Sequence, residues 1–148
     1  MSAENHPSRL PLDQFLKSFE WVPRVAVNVL IQTGAGVLLT RRETEPHQGC
    51  WHFPGGFILK NERMEAALRR IAQDELDLQF GQYHLTGVFE NLEGDPRGHI
   101  IDLVYHCNVD TDSLSRILQN PAHALFLSVP DGMGFGQEQI LNALGITG

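Results

Sequence analysis

Residues 55–78, GGFILKNERMEAALRRIAQDELDL, constrain this chain more than any other stretch. Two adjacent glycines permit a sharp backbone turn or a close approach to a ligand, leaving a carbonyl that can face a cation. From about residue 61 to residue 76, Met64, Ala67, Leu68, Ile71 and Ala72 recur at helical spacing, with Asn61 as the expected cap and Gly81 beyond the end. Arg70 and Asp74 are i, i+4 neighbours, as are Ile71 and Glu75, so two carboxylates emerge side by side in the second half of that helix. Hard oxygen donors of this kind suit Mg²⁺ or Mn²⁺ shared with phosphate oxygens.

The flanking sequence reads as one α+β domain spanning residues 1–148. Leu12, Phe15, Leu16 and Phe19 mark a short helix at residues 11–20, whose apolar stripe fits either its own domain or the twofold mate of a homodimer. Residues 24–32 and 37–40 are apolar runs separated by turn chemistry, which predicts a hairpin; Asn28 is the odd polar residue in it. Trp51 to Phe53 predicts a short strand, residues 83–90 and 99–109 two longer ones, and residues 124–129 a last strand. Short helices are expected at residues 112–118 and 137–144. Trp21, Trp51, Phe53, Phe89 and Phe126 are read as core.

A net charge of −7 argues against a partner that is a long nucleic acid, because such binding uses clustered Lys and Arg. A small phosphorylated ligand needs only a few basic groups and a metal ion. Two cysteines without ligand spacing suggest neither a zinc site nor a disulfide framework. The polar first ten residues and the lack of a long apolar run predict a cytoplasmic protein without membrane association.

Residues 55–78 resemble the Nudix box, G, five residues, E, seven residues, R-E-hydrophobic-x-E-E-x-G-hydrophobic: Gly56, Glu62, Arg70, Glu75 and Leu78 match at the correct spacing. Ile71 replaces the first glutamate, Asp74 the second, and Asp77 the glycine. The preceding Trp51-His52-Phe53-Pro54-Gly55-Gly56 also follows the family's pattern. Ile71 is shared with the GDP-mannose mannosyl hydrolase branch, whose strand, arginine and Pro-x-Q-G-x-W loop are similar to VLLTRRETEPHQGCW here.

This resemblance implies an α/β/α sandwich with a mixed central sheet and a divalent-metal-dependent hydrolase of a nucleoside-diphosphate-linked substrate such as GDP-mannose. It implies a Mg²⁺ or Mn²⁺ held by Gly55 and Glu75, with Asp74 a further candidate ligand. Arg42 and Arg70 would meet the diphosphate, and Glu62 would brace or assist. His123 matches the histidine of the branch's Gln-His pair and would be the general base; Asn28 is the counterpart of an early-strand aspartate if one residue of length difference is allowed. A pyrophosphatase attacking phosphorus, and a Nudix-fold nucleotide-binding module without turnover, are the alternatives.

Overall fold

The computed structural model describes residues 7–146; the first six and last two residues of the expected domain lie outside them. The apolar run at β1 (Arg24–Leu30) does not fold back on β3 (Gly36–Arg41) as a hairpin. It lies between β5 (Gly55–Phe57), antiparallel, and β7 (Ile100–Cys107), parallel, and β6 (Tyr83–Asn91) completes a mixed sheet of order β5-β1-β7-β6. Only β2 (Gln32–Thr33) turns back onto β3. The physical reason is in β1 itself. Val25, Val27 and Val29 face one core cluster while Ala26 and Leu30 face two others, so both sides of the strand need cover, which an interior strand obtains and an exposed hairpin does not.

The second sheet is antiparallel: β3 pairs with β2, with β4 (Trp51–His52) and with β8 (His123–Phe126). Two of its pairings position the site. Thr40 lies opposite His123, which brings the start of β8 beside Arg42, and Thr40 also faces His52. In the first sheet, Asn28 lies opposite Gly55.

Helix α2 (Met64–Leu76) buries Ala67, Leu68, Ile71, Ala72 and Leu76 against the mixed sheet. Its N-cap is Arg63 and not Asn61, which takes a left-handed φ of 65° in the preceding turn. Asp77 caps the other end at φ 48°, ψ 45°, the left-handed conformation for which glycine is usual at this place. A short polar side chain tolerates that conformation better than most. Here the carboxylate also accepts from Gln73 Nε2 at 2.7 Å and pairs with Arg116 at 3.5 Å.

α4 (Glu138–Ala143) covers the second core with Ile140 and Leu141, and α3 (Thr111–Ile117) buries Ile117 in the first. α1 (Leu12–Ser18) is held by a three-ring cluster of Phe15, Phe19 and Phe57, with the Arg24 guanidinium over the rings. The apolar stripe is therefore split: Phe15 and Phe19 pack inward, whereas Leu12 and Leu16 face solvent. Trp21, expected in the core, is 72% exposed. Among the described residues no helix is long and apolar enough to cross a membrane.

Candidate active site

Site geometry begins with the brace that fixes the glycine loop. Arg70 Nε and Nη2 donate to the two Glu62 oxygens at 2.8 and 3.0 Å, and Nη2 also donates to the Phe57 carbonyl at 2.8 Å. Glu62 accepts again from the Leu59 amide at 3.0 Å, and the Arg70 guanidinium beside it holds its carboxyl below the usual glutamate range. Arg70 thus ties β5, the loop and α2 together, and most of its donors are spent there and not on a ligand.

A folded-state pKa below the unfolded value means that this brace stabilises the protein above the ordinary glutamate pKa and is lost as pH falls through the lowered one. Glu62→Gln is expected to cost about 2 kcal/mol at neutral pH, less than a fully buried pair because Arg70 is partly exposed, and to flatten that acid dependence. Urea denaturation between pH 3 and pH 7 measures both effects.

Gly55 and Gly56 have ordinary φ values, so close approach is what requires them. A Cβ on Gly55 would stand 2.8 Å from both Asn28 Oδ1 and the Val27 carbonyl, and one on Gly56 would stand 3.2 Å from Ile71 Cγ1. Gly55→Ala should therefore shift the loop, costing about 1–3 kcal/mol, with activity falling more than stability. A thermal melt and a rate measured on the same preparation separate the two.

The β1–β5 ladder orients the Gly55 carbonyl. Val29 N–H donates to Pro54 and Ile58 N–H donates to Val25, so Gly55 and Phe57 occupy the alternate positions whose carbonyls turn away from β1. The Phe57 carbonyl meets Arg70 of α2 on that side, and the Gly55 carbonyl faces the same way.

Glu75 lies five residues beyond Arg70 on α2 and lines, with Gly55, Arg42, His52 and His123, a cleft of about 300 Å³. Burial, then the neighbouring Asp74 carboxylate, pushes its pKa up; Arg42 and His123 pull it back. Asp74 does not line that cleft; with Glu75, Gly55 and Gly56 it lines a larger one of about 720 Å³, where it pairs with Arg9 at 3.4 Å and approaches Arg70 at 4.0 Å. Ile71, 2% exposed, packs under Gly56 as core. A third helix carboxylate at that position would be buried without a partner.

Arg42 donates from Nε to the Pro46 carbonyl at 2.7 Å and from Nη2 to Glu45 at 3.4 Å, while its guanidinium lies 5.0 Å from the Phe135 ring centroid. Burial, then Arg97, lowers its pKa. The fork is aimed by its loop, and its remaining N–H groups are left for an anion. His123 is half-buried at the start of β8, with Nδ1 3.0 Å from the Ile117 carbonyl. A carbonyl only accepts, so Nδ1 carries the proton and Nε2 presents a lone pair.

Asn28 is 2% exposed and spends its polar atoms inside the protein. Its Nδ2 donates to Asp102 Oδ1 at 2.9 Å and to the Leu103 carbonyl at 3.3 Å, and its Oδ1 accepts from Gln137 Nε2 at 3.3 Å. It supports Gly55 from beneath. Together with Asp102, Gln137 and Asn91 it forms the polar floor of a second compartment of about 210 Å³, which opens beside Arg42, His52 and Gly55. Burial raises the Asp102 pKa. Phe57 and Phe135 wall this compartment, and Arg97 sits at it in a two-pronged pair with buried Asp95, 2.7 Å at the shorter contact.

None of His52, Asp95, Arg97, Asp102, Phe135 and Gln137 is singled out by sequence spacing. They arrive from β4, the β6–β7 loop, β7 and the approach to α4. The one signal is an aspartate inside the apolar strand IIDLVYHC. His52, a histidine without recognisable ligand spacing, lies in the cleft wall.

A divalent cation fits this donor set only in part. Gly55 and Glu75 offer hard oxygens on one wall, and among the described residues no group of three His, Cys, Asp or Glu side chains could hold a metal by itself. The remaining ligands must come from water or from a phosphorylated substrate.

A glycine loop braced to a helix that carries a cleft-facing glutamate, beside a mixed sheet, is a strand-loop-helix element that turns oxygen donors toward one cleft. Residues 22–129 match the NUDIX domain family, and the chain belongs to that family. It is 32% identical over 148 residues to the low-salt glycan biosynthesis protein Agl8 of Haloferax volcanii, a match covering 96% of this chain and 95% of that protein. It is 37% identical over 87 residues to the ADP-ribose pyrophosphatase of Methanocaldococcus jannaschii, covering 59% of this chain and 52%, about half, of that one. The ADP-ribose-bound NUDIX domain of Shewanella oneidensis NrtR shares the fold at a TM-score of 0.59 and 19% identity, over 92% of this chain and 97% of that domain.

Proposed function

We propose that this protein is a divalent-cation-dependent hydrolase of a nucleoside-diphosphate-linked sugar, GDP-mannose being the first candidate, and that it releases a nucleoside diphosphate and a free sugar. The observation that carries the reading is the convergence of Glu75, the Gly55 carbonyl, Arg42 and His123 on one cleft that has a single cleft-facing helix carboxylate. Ile71 in the core leaves little to hold two metals, the arrangement that suits in-line displacement at phosphorus. The glycan-biosynthesis relative, aligned along nearly its whole length, supports a sugar-containing substrate.

Each group has a chemical task. His123 Nε2 takes a proton from water; the water oxygen bonds to the anomeric carbon; the bond from that carbon to the diphosphate oxygen breaks and its electron pair leaves with the diphosphate. Arg42 offers N–H donors to the departing anion, and a guanidinium can meet phosphate oxygens in pairs. Glu62 and Arg70 act first as a brace that holds Gly55 and α2 in register. When bound at Gly55 and Glu75, Mg²⁺ or Mn²⁺ supplies Lewis-acid stabilisation of the diphosphate leaving group.

A second reading, a pyrophosphatase attacking phosphorus, is supported by the 37% identity to the ADP-ribose pyrophosphatase. A panel of nucleotide sugars, ADP-ribose, dinucleotides and nucleoside triphosphates, each with Mg²⁺ or Mn²⁺, distinguishes them. Nucleoside diphosphate with an equimolar reducing sugar is the expected product pair. Nucleoside monophosphate with a sugar phosphate would support the pyrophosphatase, and binding without turnover would support a nucleotide-binding module.

A further inference from the structure

We propose that His52 is a specificity-determining residue that accepts a hydrogen bond from a hydroxyl of the substrate's glycosyl unit, seated in the compartment between Phe57 and Phe135. The inference rests on the nucleotide-sugar reading above and adds to it the place of the sugar and one group that reads it.

Position comes first. His52 is on β4 where the two compartments meet, and it lines both, as do Arg42 and Gly55. Phe135 lies edge-on to the His52 ring with centroids 5.6 Å apart, so the ring is held in place.

Chemistry follows from its single hydrogen bond. Nδ1 lies 2.6 Å from the Phe53 carbonyl, which only accepts, so Nδ1 carries the hydrogen and Nε2 a bare lone pair. Nε2 has no partner in the protein. Among the described residues the one buried side-chain nitrogen or oxygen without a partner is His106 Nδ1, so Nε2 of His52 must reach the cavity. Burial, with smaller contributions from Arg42 and His47, holds the pKa down at about 4, and the ring is neutral in neutral solution.

A neutral lone pair attracts a hydroxyl and repels a phosphate oxygen, which has no proton to give. Arg42, beside it, has the opposite preference. The two residues thus sort a substrate that has both kinds of group, diphosphate toward Arg42 and hydroxyls toward His52. The floor beneath offers little competition: Asn28 and Gln137 are bonded to each other, Asn28 also to Asp102, and Gln137 Oε1 accepts from the Phe53 amide at 2.8 Å. The Arg97 guanidinium, paired with Asp95, lies over both aromatic walls, 5.4 Å from the Phe57 centroid and 5.6 Å from that of Phe135, so a sugar seated here would meet His52 beside that guanidinium and the ring edges, not open aromatic faces.

The test compares kcat/KM of the wild type, His52→Ala and His52→Gln on the best nucleoside-diphosphate-hexose and on its singly deoxygenated derivatives. In the wild type one deoxy position should cost about tenfold or more, because a site built to bond a hydroxyl is left with an unpaired group. His52→Ala should lose a similar factor on the parent sugar, ignore that one deoxy change and still discriminate at the other positions. His52→Gln, which keeps an acceptor, should recover part of the discrimination.

These are ratios within one variant, so they survive partial unfolding. A wild-type profile without a discriminating position, or a His52→Ala profile with every ratio unchanged, overturns the assignment of His52 and leaves the nucleotide-sugar reading standing. Release of phosphomonoesters by the wild type, with no free sugar from any nucleotide sugar, overturns both.

Discussion

Replacing Glu75 with glutamine is expected to lower kcat/KM about a thousandfold and leave the fold intact. Glu75 is the one helix carboxylate that lines the cleft with Gly55, Arg42 and His123, so under the proposed function removing its charge would deprive a divalent cation held there of its anionic protein ligand. A Lewis acid stabilises transition-state charge by several kcal/mol, and about 4 kcal/mol corresponds to that factor. The same substitution should not weaken the metal-free protein. The folded-state pKa of Glu75 is raised by burial and by Asp74, so its contribution to stability is full below the unfolded pKa and is lost as pH rises through the raised one. A neutral amide in its place removes that decline. Steady-state rates with Mg²⁺, beside thermal melts of the metal-free protein at pH 4 and pH 8, measure both effects; a rate loss below tenfold would contradict the role of Glu75.

Replacing His123 with glutamine is expected to lower kcat by about 10² to 10³, the usual size of a general-base contribution. A glutamine side chain can occupy the space and keep a donor toward the Ile117 carbonyl, so a loss from misplacement of β8 is avoided. KM should move little if His123 acts, as proposed, on water and not on the bound diphosphate. Unchanged kcat would remove His123 from the chemistry and leave Glu75 and Arg42 as a phosphate-facing pair. Asp74→Asn separates the two clefts: Asp74, bonded to Arg9, lines the larger one with Glu75 and Gly55 but not the one that Glu75 shares with Arg42 and His123, so kcat should change by less than about threefold if the chemistry is on the Arg42 side.

The parts of this molecule that are legible in sequence are those written in local periodicity. α2 follows from Met64, Ala67, Leu68 and Ile71, and the loop before it from paired glycines, because each depends on neighbours within a turn or two. The loop's reason differs from the one expected: Gly55 is small because Asn28 lies beneath it, a contact between strands 27 residues apart that no local pattern encodes. The pairing of β1 escapes a local reading for a related reason. Turn chemistry at residues 33–36 announces a hairpin, but the two apolar faces of β1 outweigh it and draw the strand between β5 and β7.

The site divides in the same way. Glu62, Arg70 and Glu75 share one helix and its approach, so their spacing identifies them, and Arg70 and Glu62 form the brace of the glycine loop. Arg42 and His123 meet only because β8 pairs with β3. His52, Arg97 and Asp102 converge from elements far apart in the chain, and Trp21 and Leu12, apolar by type, remain in solvent because α1 is anchored on its other side, through Phe15, Phe19 and the Ser18 bond to Arg24.

Attack at carbon is the central claim, and hydrolysis of a nucleotide sugar in ¹⁸O-water with Mg²⁺ tests it most directly, the products being read by mass spectrometry. The account predicts one labelled oxygen at the anomeric position of the released sugar and none in the nucleoside diphosphate. Label in a phosphate group would place the attack at phosphorus, contradict the assigned role of His123 and make the protein a pyrophosphatase.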